Sequence, residues 1–291
     1  MKRKILLGTD WWTDCDDCVA VRLLANAHKK GKIELCGVVL NACMEDSAPS
    51  LSAFLTGEGL RDLPIGIDLA GTDFAGDYFR YQKPLCAYPH RIQKNEDCPD
   101  GVELYRRVLT ESDGKVDIVE IGFYQVLANL LRTPGGTQLV REKVGRIYAM
   151  AGKWDEDGGR EHNFCNNARS REAAQYLCEK CPVPITFLGF EVGESVRSSD
   201  GLPQDDLLAV AMTAHGHEHG RSSWDPMTAL LAVVGDAKTA GYSEVHGTAS
   251  VDADTGANHF TENPQGLHTY VVKEKSDEYY RTEIQKAIPH T

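Results

Sequence analysis

The stretch from Lys4 to Val21, KILLGTDWWTDCDDCVAV, constrains this chain more than any other. It opens with a short apolar run, Ile5-Leu6-Leu7, of the kind that makes a buried strand. Four carboxylates follow within eight residues: Asp10, Asp14, Asp16 and Asp17. A helix-like apolar run, Val19 through Leu24, comes directly after them. The acids therefore stand between the carboxyl end of a strand and the start of a helix, the edge of an open α/β sheet where ligands bind. Clustered carboxylates repel one another and raise each other's pKa unless they share a cation. A hard ion such as Ca²⁺ or Mg²⁺ relieves this, because it prefers oxygen ligands. The plainer reading is a helix N-terminus with Asp16 or Asp17 as cap and the acids favoured by the helix dipole. A cap needs one acid, and here there are four.

The rest of the chain alternates strand and helix. Ile33–Leu40 reads as a buried strand ending at Asn41, 48–59 as a helix and 63–67 as a short strand. Residues 68–100 are poorly periodic and rich in Gly, Pro, Tyr and Asp, which predicts a long functional loop. A helix over 101–110, a strand over 116–121 and a helix from Val126 follow, then a strand over 146–150 and a polar loop over 153–163. Helices over 171–178, 207–213 and 225–234 surround a strand over 183–190. The tail, 243–272, alternates like antiparallel strands, and a last helix covers 277–287. The expected fold class is α/β, a single domain over residues 1–291 with a central, mainly parallel sheet flanked by helices.

Composition narrows the function. A net charge of −12 argues against nucleic acid or an anionic membrane as partner. No apolar stretch approaches a membrane span and no signal peptide is evident. The nine cysteines read as reduced thiols of a cytoplasmic protein. The Cys178-Glu179-Lys180-Cys181 spacing has no second pair and reads as a helix end.

Several strands end in a polar or metal-capable cluster. Asp10 to Asp17 follow the first, Asn41 the second, Gly122 to Gln125 the fourth, and Glu161-His162-Asn163 the fifth. Trp224-Asp225 opens a late helix. If the strands are parallel, all these clusters converge on one edge and one pocket.

In that order and spacing the chain resembles the nucleoside hydrolase family, inosine-uridine preferring and of the bacterial branch. The family's DTD turn with paired acids is matched by Thr9-Asp10, Asp14 and Asp16-Asp17. Its GPLTN stretch aligns with Gly122 to Val126, its MGG with Met150-Ala151-Gly152, its ExN with Glu161 to Asn163, and its late His-Asp with Trp224-Asp225. The resemblance implies a Rossmann-like α/β fold and hydrolysis of the N-glycosidic bond of a small ribonucleoside or related ribosyl compound. It also implies a homo-oligomer, dimer or tetramer, serving purine or pyrimidine salvage. The implied Ca²⁺ ligands are Asp10, Asp17, Asp225 and the backbone carbonyl of Gln125. Asp10 would also be the general base on a water held by the cation. Asp16, Asn41, Glu161 and Asn163 would hold the ribose, and Trp224 would contact the substrate.

The chain departs from the pattern at two informative places. Gly8 stands where the family has the first Asp of DTD, an acid expected to support the site from behind. Trp224 stands where some members have the His that protonates the leaving base, which turns attention to His215, His217, His219 and His90. An HxHxH run also suits Zn²⁺ or a solvated loop. Trp11, Trp12, Trp154 and Trp224 are candidates for stacking on a nucleobase or for the core. Asp14 has no implied role. Two other readings remain open: a nucleoside- or sugar-binding protein without turnover, and a metal-dependent phosphohydrolase.

Overall fold

A computed structural model describes residues 2–76 and 81–289. The strands in chain order are β1 (Arg3–Thr9), β2 (Ile33–Leu40), β3 (Ile65–Ile67), β4 (Val116–Glu120), β5 (Val144–Met150), β6 (Ile185–Leu188), β7 (Arg197–Ser198), β8 (Arg221–Ser222), β9 (Tyr242–Val251), β10 (Asn258–Glu262) and β11 (His268–Lys273). Nine of them form one sheet in the order β10-β9-β11-β6-β5-β4-β1-β2-β3. From β3 through β6 to β11 neighbouring strands are parallel, and β9 is antiparallel to both β11 and β10. β7 and β8 make a separate two-stranded ribbon. The expected α/β architecture with a mainly parallel sheet is the observed one.

β1 shows why the sheet is covered on both faces. Ile5 and Leu7 point into one apolar core with Val19, Leu23 and Met227, while Leu6 points into another with Leu104, Leu127 and Ala173. Side chains alternate across a strand, so an unbroken apolar run serves two cores at once. Helices Asp16–Lys29 and Trp224–Val234 cover the first face; Gly101–Glu111, Gln125–Arg132 and Ala168–Lys180 cover the second.

β1 is hydrogen-bonded to β2 on one side and β4 on the other. The chain winds outward in opposite directions from this pair, so a crevice opens at the carboxyl ends of β1 and β4. The acid-rich turn sits there.

The element bounds follow the sequence expectation closely at β2 and at the last helix, Asp277–Ala287. The helix Gly136–Lys143 has no counterpart in the sequence reading. It holds few buried residues, and so little apolar periodicity announces it. The 68–100 segment carries a short helix, Gln82–Leu85, and a 3-10 turn, Asn95–Asp97; its residues 77–80 lie outside the described residues. Cys178 and Cys181 are buried at the end of the Ala168–Lys180 helix, as a helix-end pair should be.

Candidate functional site

The turn between β1 and the first helix is tightly specified. Trp11 and Thr13 both have left-handed backbones, φ 52° and 62°. Non-glycine residues rarely adopt this conformation, and such strain persists only where surrounding contacts enforce it. Trp11 supplies part of that enforcement. Its ring is fully buried, edge-on to Phe54 and Tyr81, and its indole N–H donates to Ser50 Oγ at 2.9 Å. Trp11 is therefore a core residue.

The strained turn folds the carboxylates together. Asp17 Oδ1 accepts from the Thr9 hydroxyl and from Trp11 N at 3.2 Å. Asp10 Oδ1 accepts from Trp12 N at 3.1 Å. Asp16 Oδ2 accepts from Asp225 N at 3.0 Å, which ties the first helix to the helix Trp224–Val234. One carboxylate oxygen each from Asp16, Asp17 and Asp225 lies within 4.8 Å of the others, and all three residues are buried. None of these acids caps a helix. Cys15 occupies the first cap position and makes no side-chain cap bond, and Ser223 precedes the later helix.

Burial first, and then mutual repulsion, pushes Asp10, Asp16, Asp17 and Asp225 well above the usual carboxylate range. Asp14 behaves differently. Burial opposes its ionisation, but hydrogen bonds and charge from Arg221 outweigh it and hold the carboxyl below its ordinary value. Arg221 Nε lies 2.9 Å from both Asp14 oxygens. Among the described residues Arg221 is the only Lys or Arg lining the cavity, and Asp14 already engages it. Among the described residues, the remaining acids form an all-oxygen donor set with no Lys or Arg left to pair with them in the cavity. That chemistry fits a hard divalent cation.

The carboxylate missing at Gly8 returns from the neighbouring strand. Gly8 pairs with Glu120 across β1 and β4, and a Cβ at Gly8 would overlap the Glu120 carboxylate. Glu120 accepts from Asn41 Nδ2 at 2.7 Å and from the Tyr105 hydroxyl at 3.0 Å. Asn41 Oδ1 in turn accepts from Phe123 N at 2.9 Å. Sequence reading missed Glu120, because only strand pairing brings it to Gly8. Its one local signal was a second carboxylate, after Asp117, in the mostly apolar run VDIVEI.

Asp10, Asp16, Asp17, Glu161, Asn163, Trp224 and Asp225 all line one cavity of about 850 Å³. Glu161 accepts from Asn163 N at 2.8 Å and from Gly152 N at 3.1 Å, and burial raises it to about 7. Asn163 Nδ2 donates to the Met150 carbonyl at 3.1 Å. Asn41 and Gln125 do not line the cavity. Asn41 is fully buried, with its amide engaged by Glu120 and Phe123, so it holds strand ends together instead of facing a ligand. The Gln125 side-chain nitrogen donates to the Asn41 carbonyl and to Asp68, while its Oε1 is buried without a hydrogen-bond partner among the described residues.

The cavity also has an aromatic wall. Trp224 stacks on Phe190 with centroids 5.3 Å apart, and Arg221 lies over the Trp224 ring. The Trp224 indole N–H donates to the Phe190 carbonyl at 2.8 Å. Trp12 lines the cavity, whereas Trp154 packs in the core against Phe187 and Tyr270. His215 and His217 face the cavity; His219 is exposed, and His90 makes its contact with the Tyr88 carbonyl. His162 and Phe190 also line it. For His162 the signal was present in its position between Glu161 and Asn163.

No family model and no curated protein sequence matches the chain. Solved structures do match. A plant nucleoside hydrolase superposes with a TM-score of 0.74 at 17% identity, covering 99% of each chain. The fold is that of the nucleoside hydrolases. A purine-preferring ribonucleoside hydrolase from Gardnerella vaginalis matches with a TM-score of 0.70 at 17% identity over 98% of each chain. An inosine-uridine preferring nucleoside hydrolase from Bacillus anthracis matches with a TM-score of 0.69 at 16% identity over 100% of each. In this nucleoside hydrolase fold the Asp-rich turn occupies the sheet's switch point, where β1 meets β4.

Proposed function

We propose that this chain is a Ca²⁺-dependent ribonucleoside N-glycosidase that hydrolyses the bond between ribose and nucleobase. The observation that carries this reading is the convergence of Asp10, Asp16, Asp17 and Asp225 at one cavity of a nucleoside hydrolase fold, beside Glu161 and Asn163. In this reading Asp10, Asp17, Asp225 and the Gln125 carbonyl hold the cation. When bound, Ca²⁺ supplies Lewis-acid chemistry, lowering the pKa of a water and drawing in sugar hydroxyls. Asp10 takes the proton from the attacking water. Asp10 lines the cavity beside Asp16, Asp17 and Asp225, where its carboxylate can reach such a water.

Asp16, Glu161 and Asn163 hold the ribose hydroxyls, with Asn41 positioning the strand ends behind them. The bond breaks through an oxocarbenium-like state, and the surrounding carboxylates stabilise its positive charge. Water attacks the face opposite the base, so the product is inverted. The nucleobase stacks on the Trp224–Phe190 wall. Trp224 does not protonate it, because an indole N–H donates hydrogen bonds but does not give up its proton; here it donates to the Phe190 carbonyl. The imidazoles of His162, His215 and His217 remain as groups able to serve the leaving base.

The cytoplasm suits nine cysteines that are all free thiols, and a homo-oligomer working in nucleoside salvage belongs to the same reading. The test is free-ribose release from a panel of purine and pyrimidine ribonucleosides, with and without chelator. Release that chelation abolishes is expected. The engaged Trp224 indole favours one rival, a binding protein without turnover. Ligand-induced stabilisation with no ribose released would establish that rival and overturn the enzyme reading.

A further inference from the structure

Cys15, His215 and His217 stand together beside the carboxylate cluster but differ from it in chemistry. The Cys15 sulfur and one ring nitrogen from each His all lie within 4.8 Å of one another. His215 Nε2 is 2.8 Å from the Thr13 carbonyl oxygen, so that nitrogen carries the proton and donates it. Its Nδ1 is then a lone pair, and it lies 2.8 Å from His217 Nδ1. His217 Nδ1 also lies 3.3 Å from the His215 carbonyl oxygen, so without a metal it carries a proton and donates it toward the His215 lone pair; a cation would take that proton's place.

The backbone arranges the three donors. Cys15 immediately precedes the first helix, and His215 is the last residue of the helix Leu207–His215. Gly216, with φ 83°, reverses the chain so that His217 returns beside His215. The carbonyl that orients His215 belongs to Thr13, one of the two strained residues of the acid turn. A backbone carbonyl fixing the far nitrogen of an imidazole is the arrangement that metal-ligating histidines almost always have. Cys15 is fully buried, while His215 and His217 line the cavity.

We propose that Cys15, His215 and His217 form a second metal site, distinct in class from the carboxylate cluster, that takes Zn²⁺ or a similar borderline-soft cation. One thiolate and two imidazoles select such an ion over Ca²⁺. Three protein ligands leave a fourth tetrahedral position, as in zinc sites that act on small molecules. Binding displaces the thiol proton to solvent and moves the proton on His217 Nδ1 to its Nε2, so both imidazoles bind as neutral ligands. It also withdraws His215 and His217 from serving the leaving base and leaves His162 for that task. The site does not depend on the glycosidase reading, because it is defined by its own donor atoms.

The test uses the full chain, stripped with chelator, saturated with Ca²⁺ and then titrated with Co²⁺. The expected result is one Co²⁺ per chain with a near-ultraviolet thiolate-to-cobalt charge-transfer band. Cys15→Ser removes the band. His217→Ala, at a half-buried loop position, weakens Co²⁺ binding by more than about tenfold. Asp225→Asn alters the carboxylate cluster and leaves the band, so failure of one site is read separately from failure of the other. A wild-type chain without the band at saturating Co²⁺ overturns the proposal, and the two histidines are then a proton-sharing pair. So does a band that survives in Cys15→Ser. Should that variant not fold, unchanged Co²⁺ affinity in His217→Ala overturns it equally.

Discussion

The Glu120 carboxylate on β4 fills the space that a side chain on Gly8 of β1 would need. The two residues are register partners on adjacent parallel strands. A carboxylate thus stands behind the Asp-rich turn even though β1 itself lacks one there. Tyr105 and Asn41 both donate to it, and the Asn41 Oδ1 accepts from Phe123 N in the turn after β4.

This pairing makes the two positions interdependent. Gly8→Asp is expected to cost about 1–3 kcal/mol, because a second buried carboxyl must share an occupied space. Glu120→Ala is expected to cost a similar ~1–3 kcal/mol, because Asn41 and Tyr105 lose their acceptor. The double variant Gly8→Asp/Glu120→Ala should be more stable than the sum of the two costs implies. Urea unfolding of all four proteins measures the coupling. Strict additivity would show that the two positions do not exchange roles.

Glu120 also sets a pH dependence. Burial raises it to about 8 from an ordinary 4.5. The folded chain therefore holds a proton that the unfolded chain has released. The stability this contributes is complete below the unfolded value and is lost as pH rises through the folded one. Glu161, raised to about 7 by burial, acts in the same direction. In chelator, stability should fall as pH rises from about 5 to about 8, and Glu120→Gln should flatten that fall. Denaturant melts across this range provide the measurement, and an unaltered slope in the variant would assign the effect to other groups.

Asp10→Asn should keep the fold and lower kcat by about 10²–10⁴-fold, the usual worth of a general base. Circular dichroism and ribose release check the two halves. Activity within a few-fold of wild type would remove Asp10 from the reaction. Asp225→Ala should weaken Ca²⁺ binding, and unchanged calorimetric affinity would exclude it from the ligand set.

Trp224 separates binding from chemistry. Trp224→Phe keeps a ring beside Phe190 and should change KM little. Trp224→Ala should raise KM by about 5- to 100-fold with kcat less affected, the span expected from losing one base–aromatic stack. Equal KM values in the two variants would show that the base does not rest on this wall.

Behind the site, Arg22 is fully buried and bridges Glu58 to Asp206, the residue that caps the helix leading to His215. Arg22→Met should cost about 3–5 kcal/mol, because two buried carboxylates lose their guanidinium. Thermal or urea unfolding checks this, and a cost below about 1 kcal/mol would mean that the acids find other partners.

The sequence alone determined the alternation of strand and helix, because apolar periodicity is local and β2 and the last helix follow it residue for residue. It also determined that the acids between β1 and the first helix form a ligand-seeking cluster, since four carboxylates in one turn exceed what a cap requires. Folding decided which of them come together and which do not. Asp14 is claimed by Arg221, more than two hundred residues away in the chain. Trp11, beside the acids in sequence, turns into the core, while Trp12 faces the cavity. Asn41 follows β2 and Gln125 opens the helix after β4, yet their amide nitrogens are taken by neighbours. Local pattern marks Gly8 and the His215–His217 run, but not that Glu120 pairs with the one or that Cys15 joins the other. Both depend on which strands and helices become neighbours, and pairing between distant segments is the information that periodicity does not carry.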